Sequence, residues 1–204
     1  MLNPLTLAIV AIISNLLPII CGLYWYTHVK KEFKLFLYFL MIAFIFSISV
    51  MLFWFRGINN LFIMHFYTVF EFIFIVYVLS QWQNKIKPKM LLLITYIPFF
   101  IIWLIAKIFI ENTTNFDHIS SSLSSAIITV ISAYTLLGLV KDWGKPIENA
   151  VFLIVSGFLI YFSGNLVLFA LSSTVIPASW VIHNGLAIVA DLFYAGGFLA
   201  LRHL

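Results

Sequence analysis

Apolar residues fall in seven long stretches along this chain, separated by short polar connections. A helix rises about 1.5 Å per residue and the hydrocarbon core of a bilayer is roughly 30 Å thick, so about 20 apolar residues suffice to cross it. The pattern predicts seven transmembrane helices, near residues 5–26, 33–55, 60–82, 90–110, 119–140, 147–171 and 176–201.

Helices fit these stretches better than strands do. The apolar runs are continuous and lack the alternation of every second residue that is typical of a membrane barrel. An open sheet exposed to lipid would leave its backbone groups without hydrogen bonds. Because all connections are short, we predict an all-α polytopic membrane protein in which residues 1–204 form a single seven-helix transmembrane domain.

Composition and charge agree with this fold and orient it. The chain is 64% hydrophobic and 9% charged. Basic residues follow every second span: Lys30, Lys31 and Lys34 after the first, Lys85, Lys87 and Lys89 after the third, Lys141 and Lys145 after the fifth, and Arg202 after the seventh. The positive-inside rule then predicts an amino terminus outside and a carboxy terminus in the cytoplasm, in a bacterial cytoplasmic (inner) membrane. This asymmetry and anionic lipid headgroups account for the net charge of +4, so no nucleic-acid partner is expected.

Four ionisable residues, Glu71, Asp191, His65 and His183, lie well inside predicted spans, where burying a charge costs roughly 2.5–3.5 kcal/mol. Counted from the outer ends of their helices, Glu71 and Asp191 lie about 18 and 21 Å deep, near the midplane. His65 and His183 lie about 9 Å deep. Such residues are candidates for contact with a ligand, a proton or an ion, although a purely structural role for the two acids is the alternative.

Helical spacing shows which polar side chains share a wall. Asn184 and Asp191 are seven residues apart and lie on one face of the last helix, together with Ala187 and Tyr194, and this face should point inward. His65 lies about 120° around its helix from Glu71. With the first, third and sixth spans added, we predict an outer-half pocket lined by Asn15, His65, Tyr67, Glu71, Tyr161, Asn165, His183, Asn184 and Asp191.

Other small and polar residues are better explained by packing between helices. Gly157 and Gly164 are spaced so that a neighbouring helix can approach closely. The fifth span carries a stripe of small hydroxyl residues, namely Ser121, Ser125, Thr129 and Ser132. We interpret both patterns as helix contacts. The single cysteine, Cys21, excludes an internal disulfide and any cysteine-based metal motif.

Two other functional classes remain open. A transporter or proton-coupled channel could use the same acids, because the third and seventh spans each carry a histidine followed by a deeper carboxylate. Prolines inside spans, Pro18 and Pro98, have no counterpart in the other half of the chain, which argues against paired broken helices.

An intramembrane metal-dependent lipid hydrolase is the third alternative. His65, His183, Glu71 and Asp191 are the residue types that bind zinc or iron, but neither helix has two histidines four residues apart. No cofactor is identified from the sequence. A retinal-type photoreceptor is disfavoured because the seventh span has no lysine in mid-membrane.

Three segments carry a resemblance to a known group. Residues 65–72 (HFYTVFEF), 161–165 (YFSGN) and 180–184 (WVIHN) resemble the uncharacterised seven-helix integral membrane proteins of Bacteroidota. Some of those relatives are linked to sensory signalling modules, so the resemblance implies a receptor-like sensor. It supplies no catalytic or ligand-binding residues.

We therefore expect a receptor-like membrane sensor or small-molecule-binding protein. His65 and His183 would hydrogen-bond the ligand, and Glu71 and Asp191 would couple its binding, or a protonation, to helix movement. The expected partners are the lipid bilayer, a small molecule, and either a cytoplasmic signalling protein or further copies of the chain. No catalytic residue is assigned.

Overall fold

The computed structural model describes residues 4–83, 86–111, 116–142, 149–171 and 176–201. Within these ranges the chain forms nine helices and no strand. They are α1 (Pro4–Ser14), α2 (Leu16–Tyr24), α3 (Lys31–Phe55), α4 (Leu61–Gln81), α5 (Ile86–Ile94), α6 (Tyr96–Phe109), α7 (His118–Asp142), α8 (Ala150–Leu171) and α9 (Ile176–Ala200).

Seven spans result, because α1 with α2 and α5 with α6 each form one interrupted helix that is long and apolar enough to cross a bilayer. This confirms the predicted all-α fold and its seven spans, and the chain is an integral membrane protein. The fourth span begins at Ile86, four residues before the predicted start at residue 90. Helix α8 begins at Ala150, whereas the predicted start at residue 147 lies outside the described residues.

The interruption of the first span has a local cause. Asn15 separates α1 from α2, and Pro18 follows three residues later. Proline has no backbone N–H, so the carbonyl of Ser14, four residues earlier, loses its usual helical donor. The side-chain Nδ2 of Asn15 donates to the carbonyl of Ala11 over 2.9 Å. The Asn15 side chain therefore ties the break to the preceding turn, although it does not replace the donor that the Ser14 carbonyl loses.

The fourth span is interrupted in the same way. Thr95 separates α5 from α6, three residues before Pro98, and its Oγ1 donates to the carbonyl of Leu92 over 2.6 Å. Both breaks therefore follow one rule, a proline three residues after a polar residue whose side chain bonds back to the preceding turn.

One end of the bundle is filled by aromatic rings. Phe36 lies at the centre of this group, stacked on Phe198 with ring centroids 5.8 Å apart. Trp82, Phe158 and Tyr194 meet the same ring edge-on, at 6.3, 5.4 and 5.2 Å. The rings lie toward the end where α3 begins and where α4 and α9 end. They form a dry plug that closes this end of the interior.

Helices α8 and α9 pack closely along glycines. A Cβ atom added at Gly157 would lie 2.6 Å from the ring of Tyr194, and one added at Gly164 would lie 2.4 Å from Leu186. Both distances are shorter than a van der Waals contact, so a larger residue at either position would require the facing side chain to shift. The predicted close packing at these two positions is confirmed.

The hydroxyl stripe on α7 is also buried in helix contacts. Ser121, Ser125 and Ser132 are buried, and Thr129 is partly buried. Ser121 shares a hydrogen bond of 3.2 Å with Thr68 on α4. None of these residues lines the cavities described below, which agrees with a packing role.

Large apolar side chains cover the outside of the bundle. On α6, Ile97, Ile101, Leu104 and Ile108 are each more than half exposed. Their spacing of three to four residues makes one helix face. Such a continuous apolar face is the surface that lipid chains would cover.

Candidate functional site

A polar cavity of about 120 Å³ lies inside the bundle, between α1, α3, α4, α8 and α9. We refer to it as the central cavity. Its polar lining consists of Asn15, Ser47, Tyr67, Glu71, Tyr161, His183, Asn184, Asp191 and Tyr194. Seven of the nine residues predicted for the pocket are in this set; the exceptions are His65 and Asn165. The aromatic plug adjoins the cavity at one end, because Tyr194 belongs to both and Phe39, which lines the cavity, stacks on Phe36 at 6.2 Å.

Helix α9 supplies the longest wall of the central cavity. Asn184, Ala187, Asp191 and Tyr194 all line it. These positions repeat every three to four residues, as one helix face requires. The prediction that this face points inward is confirmed.

Asp191 joins α9 to the break in the first span. Its Oδ2 accepts hydrogen bonds from Ser14 Oγ at 2.6 Å and from Asn15 Nδ2 at 3.1 Å. Only 3% of the residue is exposed. Among the described residues, none donates to its other oxygen, Oδ1. The carboxyl group is therefore held on one side and open on the other.

The hydroxyl of Ser14 faces two acceptors. Ser14 Oγ lies 2.8 Å from the carbonyl oxygen of Ala11 and 2.6 Å from Asp191 Oδ2. A hydroxyl has one proton to donate, so it can serve only one of these acceptors at a time. If Asp191 carries a proton, it can donate to Ser14 while Ser14 donates to Ala11. The hydrogen bonds at the break thus depend on the state of Asp191.

Glu71 lies on the opposite wall, on α4, one turn after Tyr67. The phenols of Tyr67, Tyr161 and Tyr194 surround the part of the cavity that this carboxyl group enters. No lysine or arginine is among the described residues that line the central cavity. The two carboxyl groups therefore share a cavity whose described lining contains neither lysine nor arginine.

Asn165 lies behind the cavity wall and positions His183. The amide is buried, and its Oδ1 is 2.8 Å from His183 Nδ1. An amide oxygen can only accept, so this contact places a proton on Nδ1 and leaves Nε2 of a neutral ring as an acceptor. Asn165 was predicted to line the central cavity. It instead contacts His183, which lines it.

A second cavity of about 280 Å³ adjoins His183 on the side that faces the start of α9. We refer to it as the aromatic cavity. It is lined by Leu61, Phe116, His118, Leu168, Phe169, Ser179, Trp180 and His183. It lies where α4, α7 and α9 begin and α8 ends, opposite the aromatic plug. His183 lines both cavities, and its ring packs against Trp180 at 5.6 Å and Tyr161 at 5.7 Å.

His65 belongs to a different group from the one predicted. It is 2% exposed and its Nδ1 lies 3.6 Å from Asp117 Oδ2. Lys107 Nζ, from α6, lies 2.8 Å from Asp117 Oδ1 and 2.6 Å from Glu111 Oε2. This ion-pair cluster joins α4, α6 and the start of α7. The helix angle between His65 and Glu71 is the reason that the two residues face different neighbours.

The ion-pair cluster includes residue types that bind metals. Among the described residues, His65, Glu111 and Asp117 are the one set whose ligand atoms lie within 4.8 Å of one another. The Lys107 ammonium already provides a cation for both carboxylates. The set considered from sequence, His65 with His183, Glu71 and Asp191, is not brought together.

The neighbours of Glu111 in the cluster change its pKa. Burial alone would raise the pKa of Glu111, but hydrogen bonds from the Lys107 ammonium and the Ile119 amide, and the charge of Lys107, lower it below its ordinary value. The Ile119 amide donates to Oε1 over 2.7 Å. Glu111 is therefore held ionised, as a fixed partner of Lys107.

Sequence reasoning missed two members of these sites. Ser14 bonds the cavity residue Asp191, and Asp117 pairs with His65. Ser14 carried a usable signal, because it is the residue whose carbonyl loses its donor to Pro18. Asp117 carried none, since its pairing with His65 joins positions 52 residues apart in the chain.

The fold and the two cavities define a seven-span integral membrane protein with a polar interior site. No protein-family model matches the chain, and no similar curated protein or solved structure was found. The functional argument therefore depends on the chemistry of the cavities.

Proposed function

We propose that this protein is a receptor-like sensor, or small-molecule-binding protein, whose ligand occupies the central cavity. The observation that carries the proposal is the convergence of two carboxyl groups, an imidazole, two amides and three phenols on one cavity. Polar groups at membrane depth are costly unless they serve each other or a ligand. The resemblance of segments 65–72, 161–165 and 180–184 to sensor-linked seven-helix proteins of Bacteroidota supports the same class.

The size of the central cavity limits the ligand. A cavity of about 150 Å³ is known to hold benzene, so a cavity of about 120 Å³ accommodates a molecule of about five or six non-hydrogen atoms. A lipid chain or a retinal-sized chromophore is too large for it. Cavity size therefore favours a small polar ligand over the substrate of a lipid hydrolase.

The route from ligand to response begins at Asp191. This residue lines the central cavity and also bonds both residues at the break in the first span, Ser14 and Asn15. A ligand that recruits the Asp191 carboxyl group competes with these bonds. Binding would then change the angle between α1 and α2. A sensor needs a ligand whose contacts differ between two conformations, and the bonds of Asp191 would supply this difference.

The proposed orientation sets the output side. Lysines follow the first, third and fifth spans, which supports an amino terminus outside and a carboxy terminus in the cytoplasm of a bacterial inner membrane. The aromatic cavity would then open toward the outer face and the aromatic plug toward the cytoplasm. The basic inner connections would contact a separate signalling protein, another copy of the chain or anionic lipid.

Native mass spectrometry of gently purified protein, paired with elemental analysis, tests the proposal. We expect a co-purifying small organic molecule that is retained by His28→Ala, an exposed histidine, and lost from His183→Ala. A stoichiometric metal lost from His183→Ala would instead indicate a metalloenzyme or metal carrier.

A proton-coupled transporter is the second candidate, and one observation favours it. Interrupted helices near a membrane carboxylate are where transporters hold substrates and coupling ions, and Asp191 bonds such an interruption. Proteoliposomes containing the protein would then move protons or a small solute down a gradient, whereas a sensor would produce no flux. Asp191→Asn serves as the inactive control.

A further inference from the structure

The charge of the central cavity indicates the sign of its ligand. Glu71 and Asp191 enter it from opposite walls, α4 and α9, and no lysine or arginine is among the described residues that line it. One oxygen of Asp191 is held by Ser14 and Asn15, and none of the described residues donates to the other. A buried carboxylate is stable when a cation or a strong donor reaches it. The described lining thus lacks a lysine or arginine to pair with its two acids, and its one imidazole, His183, is held by Asn165.

The other lining groups match an ammonium better than a metal ion. Calcium takes six to eight oxygen ligands and magnesium needs near-octahedral geometry. Among the described residues, the group of side chains close enough to share a metal lies in the ion-pair cluster and not in the central cavity. An ammonium needs only two or three acceptors, and the ring faces of Tyr67, Tyr161 and Tyr194 can attract its positive charge.

The aromatic cavity provides a route for such a molecule. It is larger than the central cavity and is lined mainly by apolar and aromatic side chains, including Trp180, Phe169 and Phe116. Indole and phenyl faces attract organic cations while excluding inorganic ions, which keep their water. His183 is the residue common to both cavities, and Asn165 holds its ring. The two spaces therefore meet at His183.

We propose that the ligand of the central cavity is a small organic ammonium ion that enters through the aromatic cavity, passes His183 and binds between Glu71 and Asp191. This inference rests on the proposed binding function and names the class of ligand. The volume of the central cavity holds an ammonium ion of about five or six non-hydrogen atoms.

Thermal unfolding of the purified full-length protein with probes of matched size tests the class of ligand. Propylammonium and ethanolammonium should each give saturable stabilisation, whereas 1-propanol, acetate and the oversized tetrabutylammonium should give none. Glu71→Gln and Asp191→Asn should each weaken the binding of the ammonium probes by about tenfold or more. Glu32→Gln removes an acid outside the cavity and should leave their affinity unchanged.

The route is tested by the rates of binding. Leu168→Phe adds bulk to the wall of the aromatic cavity without altering the central one. Stopped-flow fluorescence should show slower association and slower dissociation by the same factor, with an unchanged equilibrium affinity. Trp180→Phe identifies the part of the signal that comes from Trp180. Unchanged rates in Leu168→Phe would overturn the route.

The outcomes separate the two proposals. Stabilisation by 1-propanol or acetate, but not by an ammonium, would overturn the ligand class while leaving the central cavity as a binding site. Equal binding of propylammonium by wild type, Glu71→Gln and Asp191→Asn would also overturn the inference. If none of the probes stabilises the protein, the ammonium proposal is wrong. Native mass spectrometry then tests the proposed binding function separately.

Discussion

Asp191 is the residue through which the central cavity and the first span meet. It lines the cavity, yet its Oδ2 is bonded to Ser14 and Asn15, 177 and 176 positions earlier in the chain. Its depth and its helix face follow from local spacing and are predictable from sequence. Its partners are not, because they depend on how α9 packs against α1 and α2.

Removing the hydroxyl of Ser14 should destabilise the protein. Ser14→Ala leaves the buried Asp191 with one donor fewer, and such a loss costs roughly 1–3 kcal/mol. Ser49→Ala is the matched control, since Ser49 is less buried and its hydroxyl bonds the carbonyl of Ile45 in its own helix. Thermal unfolding in the same detergent should show a clear decrease for Ser14→Ala and little change for Ser49→Ala. Equal behaviour of the two variants would contradict the role given to the Asp191 contact.

Acid should weaken the ion-pair cluster through Glu111. Because the folded state lowers the pKa of Glu111, its ionisation contributes stability above the ordinary value of 4.5. That contribution decreases as the pH falls below 4.5 and through the lowered pKa of the folded state. The free energy of unfolding of wild type should therefore fall more steeply in this range than that of Glu111→Gln.

Denaturant unfolding of both proteins at several pH values measures this difference. Lys107→Met, which leaves Glu111 and Asp117 without their ammonium, should lower stability by roughly 3 kcal/mol. Lys31→Met, at an exposed position, is the control. If the free energies of unfolding of wild type and Glu111→Gln changed with pH in parallel, the pairing of Glu111 with Lys107 would not stabilise the fold.

At the scale of helices, α8 and α9 form the closest contact in which cavity residues take part. Tyr194 lines the central cavity and also lies against Gly157, so the distance between these helices sets the position of a cavity wall. Small residues allow this approach in membranes, where no hydrophobic force drives helices together.

Gly157→Ala should disturb both stability and the cavity. The added Cβ would lie 2.6 Å from the Tyr194 ring, which is buried and cannot move aside freely. An alanine at Gly185, also on a helix, meets nothing within 4 Å. It should be neutral or slightly stabilising, because alanine favours a helix by about 1 kcal/mol over glycine. Melting temperatures that fall for Gly185→Ala but not for Gly157→Ala would contradict this packing.

The elements themselves were predictable to different degrees. Span number and length follow from local apolar runs, and the structure agrees. The breaks at Asn15 and Thr95 follow from Pro18 and Pro98, and a local rule could have placed them. His65 lies in the ion-pair cluster and not in the predicted pocket, because depth along a helix does not fix which neighbour its face meets. Only the packing of α4 against α6 and α7 decides that.

At the scale of the whole molecule, the proposed orientation makes a direct prediction. With Cys21 replaced by alanine, a cysteine at Ile58, between α3 and α4, should react with an impermeant maleimide in intact cells. A cysteine at Thr27, between α2 and α3, should react only after permeabilisation. Both positions are exposed, so access is decided by the side of the membrane. The reverse labelling pattern would place the lysines outside.

A high-resolution experimental map of the protein, purified gently in lipid nanodiscs, tests the central claim most directly. The account predicts compact non-protein density of about five or six atoms between Glu71 and Asp191, with the Ser14 and Asn15 side chains within reach of Asp191. A central cavity filled by protein side chains, with Glu71 and Asp191 facing separate surroundings, would contradict it.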